Sequence, residues 1–409
     1  MGGVAAEAPA ATYLDLLRRP SVARLLLGAV VGRLPTSMTA IAVTLALRPR
    51  GLGFRFIGIA VAVLTVAQAA GGPVLSRLVD RRGQTGVLAA SAVVSAAGLL
   101  LVAAAPGVGA AVLVGTALTG AAVPPLEPCL RALWPGLVGD ENLPRAYSLD
   151  SVAQELVFVI GPLLVAVVVA AGSPIGALVL TGLLCLAGTA VVATAEPSRR
   201  YRGTAATVGW LGPLHSRPLV VLLAGMTGVA VPVGGLGIVL VAYTEQHRVW
   251  GGAGVLLGVS AGGALAGALT YGAVRWTGSP TTRLVVLSAG LAAAYLLVAT
   301  PATPWLMAVL CFVAGVFLPP LLVISFGLID ELAPPGTIVE AFGWLVTFFM
   351  VGSGVGSAVA GAVRDAVGTG PAAASTAALG FLGTATLALF HAVHGRRADS
   401  TAVVRSAAR

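Results

Sequence analysis

Apolar residues in this chain run in long stretches separated by short polar turns, without the alternation of a half-buried strand. Crossing a bilayer takes about 20 apolar residues per helix. Twelve stretches come near that length: 22–47, 57–76, 86–105, 109–130, 146–171, 174–194, 218–242, 252–274, 283–300, 303–328, 338–363 and 368–392. Lipid leaves open backbone groups unsatisfied, and the runs are too long and uniform for barrel strands, so the spans are predicted to be helices. The expected fold class is an all-α polytopic membrane protein with 12 transmembrane helices.

The pattern repeats. The pair Pro124–Pro125 returns as Pro319–Pro320, Gly83 as Gly278, and Ala146 and Gly161 as Ala341 and Gly356, each at an offset of 195 residues. Anchors in three hairpins at one offset argue for two parallel six-helix repeats. The chain then divides into an N-terminal segment (1–21), a six-helix bundle (22–194), a linker (195–217), a second bundle (218–392) and a tail (393–409). A parallel repeat suits rocking of one bundle against the other around a central cavity, which is how secondary transporters work.

Composition agrees with the membrane reading and adds orientation. Hydrophobic residues form 57% of the chain and charged residues 10%, against roughly a quarter charged in a soluble domain. All 24 basic residues are arginine. With both termini inside, most arginines fall at the inner side, as the positive-inside rule requires. Arg48, Arg50 and Arg55 in the first outer loop run against that trend. The net charge of +9 therefore reflects topology and lipid headgroups, with no nucleic-acid patch. The location expected is the cell inner (plasma) membrane, multi-pass, with both termini cytoplasmic. The polar lead to Pro20 and the length of the first run are read as a retained helix, not a cleavable signal. The arginine-only, Ala/Gly/Val-rich composition suggests a high-GC bacterium.

Cys129, Cys185 and Cys311 stand singly, without ligand spacing. His391 and His394 fit a helix end at the interface better than a metal site, so no metal and no cofactor is expected. Trp134, Trp210, Trp250 and Trp276 are read as interfacial anchors.

Two motifs carry a family resemblance. The turn SRLVDRRGQTG (76–86) resembles the signature loop of the major facilitator superfamily, matching it at Asp80, Arg81 and Gly83. Ser76 replaces the first glycine and Gln84–Thr85 replace the final basic pair. In that family the loop latches the outward-facing state. Independently of the resemblance, Gly83 suits positive φ, and Asp80 suits a helix N-terminus of the other bundle. VFVIGPLL (157–164) resembles the Gly-Pro element of proton-driven exporters through Gly161 and Pro162, although Val157 stands where a glycine is expected. The alternative for this pair is an ordinary packing kink.

Ionisable groups inside spans are functional candidates, because each costs about 2.5–3.5 kcal/mol near a helix centre. They concentrate in the first bundle: Arg33, Glu127, Asp150 and Glu155, with Arg131 one turn after Glu127, and Gln68 and Gln154 beside them. Glu155 is read either as a proton-coupling site or as half of an ion pair with Arg33 or Arg131, and Glu127 as a second, weaker coupling candidate or a pair for Arg131. Arg33 is read as a counter-charge or an anion site. In the second bundle Trp344, Phe348 and Phe349 are candidate cavity residues, with core or lipid packing as the alternative.

The function expected is secondary active transport by alternating access: proton-coupled export of small hydrophobic or amphiphilic molecules, by a monomer, without enzymatic activity. Sugar sites would need more Asn, Gln and Trp than this chain has. The alternatives are an importer or facilitator of a small nutrient or organic anion, and a non-transporting membrane sensor or scaffold.

Overall fold

A computed structural model describes residues 12–50, 54–202, 211–249, 252–274, 276, 278–300 and 303–407, and only the backbone of 54, 55, 252 and 394–407. Trp210, Trp250, Arg275 and part of the linker lie outside the described residues, as do the side chains of Arg55 and His394.

Helices account for the regular structure of the described residues. A short helix, α1 (Tyr13–Leu17), precedes the first bundle: α2 (Pro20–Leu47), α3 (Phe54–Arg82), α4 (Gln84–Ala104), α5 (Gly109–Ala121), α6 (Leu126–Val138), α7 (Leu143–Ala170) and α8 (Pro174–Ala193). After α9 (Glu196–Arg200) come α10 (Arg217–His247), α11 (Gly252–Ala273), α12 (Pro280–Leu297), α13 (Pro304–Leu332), α14 (Ile338–Val367) and α15 (Thr369–Ala407). With α5 and α6 taken as one span, 12 helical segments among the described residues are long and apolar enough to cross a membrane.

The backbone carries the repeat. Gly83 and Gly278 both sit at positive φ, 85° and 89°, where a side chain would be strained. Gly188 lies against the backbone of Gly32, where α8 meets α2; a Cβ at Gly188 would come within 2.0 Å of the Gly32 nitrogen. Its counterpart Gly383 meets Gly228 in the same way, where α15 meets α10. Small residues let membrane helices pack backbone to backbone in this manner.

One expected span is broken. Residues 122–125 leave the helix between α5 and α6, so the predicted span 109–130 becomes two helices that continue to Val138. Pro124–Pro125 supply no N–H for a helical ladder and disfavour helix in the residue before them. The equivalent Pro319–Pro320 lie inside continuous α13. Most other spans run a few residues past the apolar runs that predicted them, because polar ends such as Arg81–Arg82 stay helical.

Trp134 corrects another expectation: it is fully buried in the core and not at an interface. Trp276 is half exposed and stacks on Tyr271. Trp305, at the start of α13, is the most exposed of the large apolar side chains among the described residues.

The two bundles meet at the face that carries the termini. One continuous core there joins Leu16, Trp134 and Tyr147 of the first half to Phe326 and Phe342 of the second. A separate core, with Met38, Val43, Val102 and Val157, stays within the first bundle. Tyr13 of α1 crosses to the second bundle, its hydroxyl donating to the Leu269 carbonyl at 2.8 Å. Towards the opposite face the halves part: Phe158 of α7 is 55% exposed. A Cβ at Gly58 of α3, or at Gly254 or Gly258 of α11, would meet nothing within 4 Å.

Candidate functional site: a central cavity and a buried charge centre

Where the halves part they enclose a cavity of about 350 Å³. Its first-bundle wall carries Thr36, Gln68, Glu127, Arg131, Gln154 and Glu155; its second-bundle wall is Pro319, Leu322, Phe326, Leu345, Val346, Phe349 and Met350. The second-bundle wall is apolar; the first-bundle wall holds the polar groups, together with Ala40, Leu64 and Phe158. A smaller space of about 80 Å³ adjoins it and shares Gln68 and Glu127, with Arg33 on its wall.

Behind the polar wall lies a four-charge centre. Arg33 donates from Nη1 to Asp150 Oδ1 at 2.6 Å and also hydrogen-bonds Gln154 Oε1. Arg131 donates from Nε to Asp150 Oδ2 at 2.8 Å and from Nη2 to Glu127 Oε1 at 2.5 Å. Glu127 Oε2 stands 3.4 Å from Arg33 Nη2. Asp150 is fully buried, and the two arginines are almost so. A lone charge at this depth is unaffordable; two of each sign, bonded edge to edge, neutralise one another.

Local structure explains the geometry. The break at Pro124–Pro125 starts α6 at Leu126, which puts Glu127 in a first helical turn whose free N–H groups favour a carboxylate. Arg131 follows at i+4, on the same face. On α7, Asp150 and Gln154 share one face by the same spacing, so both meet Arg33 of α2.

Glu155 stands apart. It lines the cavity, and among the described residues it has neither an ion-pair nor a hydrogen-bond partner. Of its two sequence readings, the ion pair with Arg33 or Arg131 is not formed here, because Asp150 and Glu127 occupy both guanidinium groups.

The apolar candidates divide by helix face. Phe349 lines the cavity with Leu345, Val346 and Met350. Trp344 and Phe348, one turn apart on a neighbouring stripe of α14, lie outside the lining; their rings pack edge to face, 6.0 Å apart. Gly161 packs against Ser37 of α2, whose hydroxyl donates to the Val157 carbonyl at 2.8 Å. Pro162 lies within α7, which continues unbroken through it.

At the termini-bearing face, Asp80 accepts from the backbone N–H groups of Val339 (3.2 Å) and Glu340 (2.7 Å), in the first turn of α14. Tyr201 donates to the same carboxylate at 3.0 Å. Burial first, and then the Asp80 charge, push the Tyr201 phenol well above the ordinary tyrosine range, so it stays a donor. Arg77 Nη1 lies 3.6 Å from Glu340 Oε1, a second link between the halves. Arg81 is exposed at the end of α3, and Gly83 turns the chain into α4.

Three residues that sequence reading missed complete this face. Tyr147 of α7 hydrogen-bonds Asp330 of α13. Phe326, one turn before Asp330, lies under the Arg131 guanidinium, whose central carbon is 3.6 Å from the ring centroid. Their only sequence signal is polarity or aromaticity near a span end, which does not say which half each one faces.

Comparison with known proteins places this arrangement. A bacterial homologue of the iron transporter ferroportin, solved in an outward-facing state, superposes with a TM-score of 0.74 at 16% identity, covering 90% of this chain and 99% of its own. The human organic anion transporter MFSD10 superposes at 0.66 with 14% identity, over 90% and 99%. These identities show a shared fold alone. No curated protein matches the chain by sequence. The family model for the Major Facilitator Superfamily matches residues 25–356. With that match over most of its length and a fold held in common with solved transporters, the chain belongs to the major facilitator superfamily of membrane transport proteins.

Proposed function

We propose that this protein is a proton-coupled secondary transporter that exports small hydrophobic or amphiphilic molecules by alternating access. It would act as a monomer in the cell inner membrane with both termini cytoplasmic, built from the two bundles and linker bounded at 22–194, 195–217 and 218–392. The observation that carries this reading is the two-sided cavity: an apolar wall on α13 and α14 faces the wall that holds the polar groups, among them Glu155, a carboxylate without a partner among the described residues. An apolar cargo fits the first wall without unsatisfied polar groups. A carboxylate with no fixed cation is free to take up or release a proton as its surroundings change between states.

On this reading the state described is outward-facing, sealed on the cytoplasmic side, and Asp80 on the α14 N-terminus acts as the latch. The arginine-rich ends at that face fit a cytoplasmic side.

The test is transport in proteoliposomes under an imposed pH gradient, with lipophilic cationic and neutral dyes as cargo. The wild type should move dye against its gradient, driven by protons. Glu155→Gln should lose that drive while keeping downhill exchange. Undiminished proton-driven transport in Glu155→Gln sinks the coupling role.

A second reading is an organic anion facilitator with Arg33 as the anion site. It has Arg33 on the wall of the smaller space in its favour, but that guanidinium is already held by Asp150, Gln154 and Glu127. Anion uptake indifferent to a proton gradient would favour it.

A further inference from the structure

The central cavity ends, towards the termini-bearing face, at one aromatic residue. The central cavity of about 350 Å³ is floored by Phe326 and Arg131. A second cavity, of about 390 Å³, lies at the termini-bearing face, between Arg145 and Tyr147 of the first half and Gly327 and Glu331 of the second. At the floor of the central cavity Phe326, 1% exposed, is clasped by three contacts. The Arg131 guanidinium covers its face at 3.6 Å. Tyr147 meets it edge to face at 5.4 Å, and Phe342 does so at 6.1 Å. The Tyr147–Asp330 hydrogen bond ties the same two helices, α7 and α13, one turn further on.

The arrangement is asymmetric in a way that identifies the moving part. Arg131 is fixed within the first half by Asp150 and Glu127, so it presents a rigid cationic plate. Phe326 comes from the second half and holds that plate only through its π face and its bulk. A desolvated cation–π contact is strong enough to hold a closed state yet has no ion pair to break. Separating the halves at this face would withdraw Phe326 and open the floor of the central cavity.

We propose that Phe326 is the plug of the translocation pathway and that Arg131, through the ring face, is the residue that holds it seated. The inference builds on the alternating-access reading and assigns the residue pair at which the pathway closes.

Accessibility tests it without requiring transport. In a background lacking Cys129, Cys185 and Cys311, a reporter Leu322→Cys stands one turn from Phe326 on the wall of the central cavity. In sealed vesicles of each orientation, a membrane-impermeant maleimide should label it slowly from the termini-bearing face. Phe326→Ala should speed labelling from that face by about tenfold or more, the scale of losing a desolvated cation–π contact together with its bulk. Phe326→Leu keeps the bulk without the π face and should give an intermediate rate; Phe326→Trp should label slowly. An unchanged rate in monodisperse Phe326→Ala or Phe326→Leu protein overturns the plug or the Arg131 hold, respectively. A chain that labels as expected yet moves no cargo in proteoliposomes would refute the proposed function and leave the plug standing.

Discussion

The Asp80 carboxylate lies 2.7 Å from the backbone nitrogen of Glu340, so a side chain of the first bundle caps a helix of the second, 260 residues away in sequence. A charge-assisted hydrogen bond of this kind contributes about 1.5–3 kcal/mol. Asp80→Asn keeps the size and removes the charge that α14's free N–H groups attract. Spin labels at Arg145 and Glu331, on opposite walls of the cavity at this face, should then report a larger population of long distances. An unaltered distribution would mean that this contact does not hold the face shut.

The charge centre leads to a stability prediction. Asp150→Asn leaves two buried guanidinium groups with one carboxylate, and losing one partner of a buried pair costs roughly 3–5 kcal/mol. Pairing Asp150→Leu with Arg33→Met removes charge of both signs and leaves Arg131 with Glu127. Thermal unfolding in detergent should find that double variant more stable than Asp150→Asn alone. The reverse order would mean that the centre does not act as a balanced unit.

Tyr201 gives a pH dependence with a definite sign. Its folded pKa is raised, so the folded protein binds its phenolic proton more tightly than the unfolded chain does. The stability it contributes is complete below the unfolded tyrosine value of about 10 and falls as pH rises above it. A difference tyrosinate titration, wild type against Tyr201→Phe, should reveal no ionisation of this residue near pH 10. Ionisation there would contradict the buried bond to Asp80.

Close packing supplies the last prediction. Gly188→Val drives a branched side chain into the Gly32 backbone and should cost the upper end of roughly 1–3 kcal/mol, or prevent folding. Gly383→Val should do the same in the second bundle, since Gly228 stands there as Gly32 does here. Gly361→Val, whose Cβ would meet only the Ile238 side chain at 3.8 Å, is the control that should be tolerated.

Much of this was legible in the sequence, because a bilayer imposes a length and a solvent on every helix. The spans, the repeat and the concentration of charge in one bundle follow from runs of residue types. Glu127 with Arg131 was readable too, since i and i+4 meet on any helix. The rest depends on contacts between residues far apart in sequence. Nothing near Asp150 says that it takes both arginines and leaves Glu155 without either. Nothing near Trp344 and Phe348 says that their stripe of α14 turns away from the cavity while Phe349 joins it. The break before α6 could have been inferred from Pro124–Pro125, had the same pair not also occurred in helical α13.

All four charges of the centre belong to the first bundle, which on the alternating-access reading moves as one body. When one bundle rocks against the other, Arg33, Arg131, Asp150 and Glu127 travel together as a single rigid body. No ion pair of this centre has to be pulled apart in a medium without water, so its separation energy does not enter the barrier. What the two surfaces share is a ring face, a helix cap, a few hydrogen bonds and one ion pair, Arg77 with Glu340. A transporter assembled this way can keep charge deep in the membrane without taking the charge centre apart.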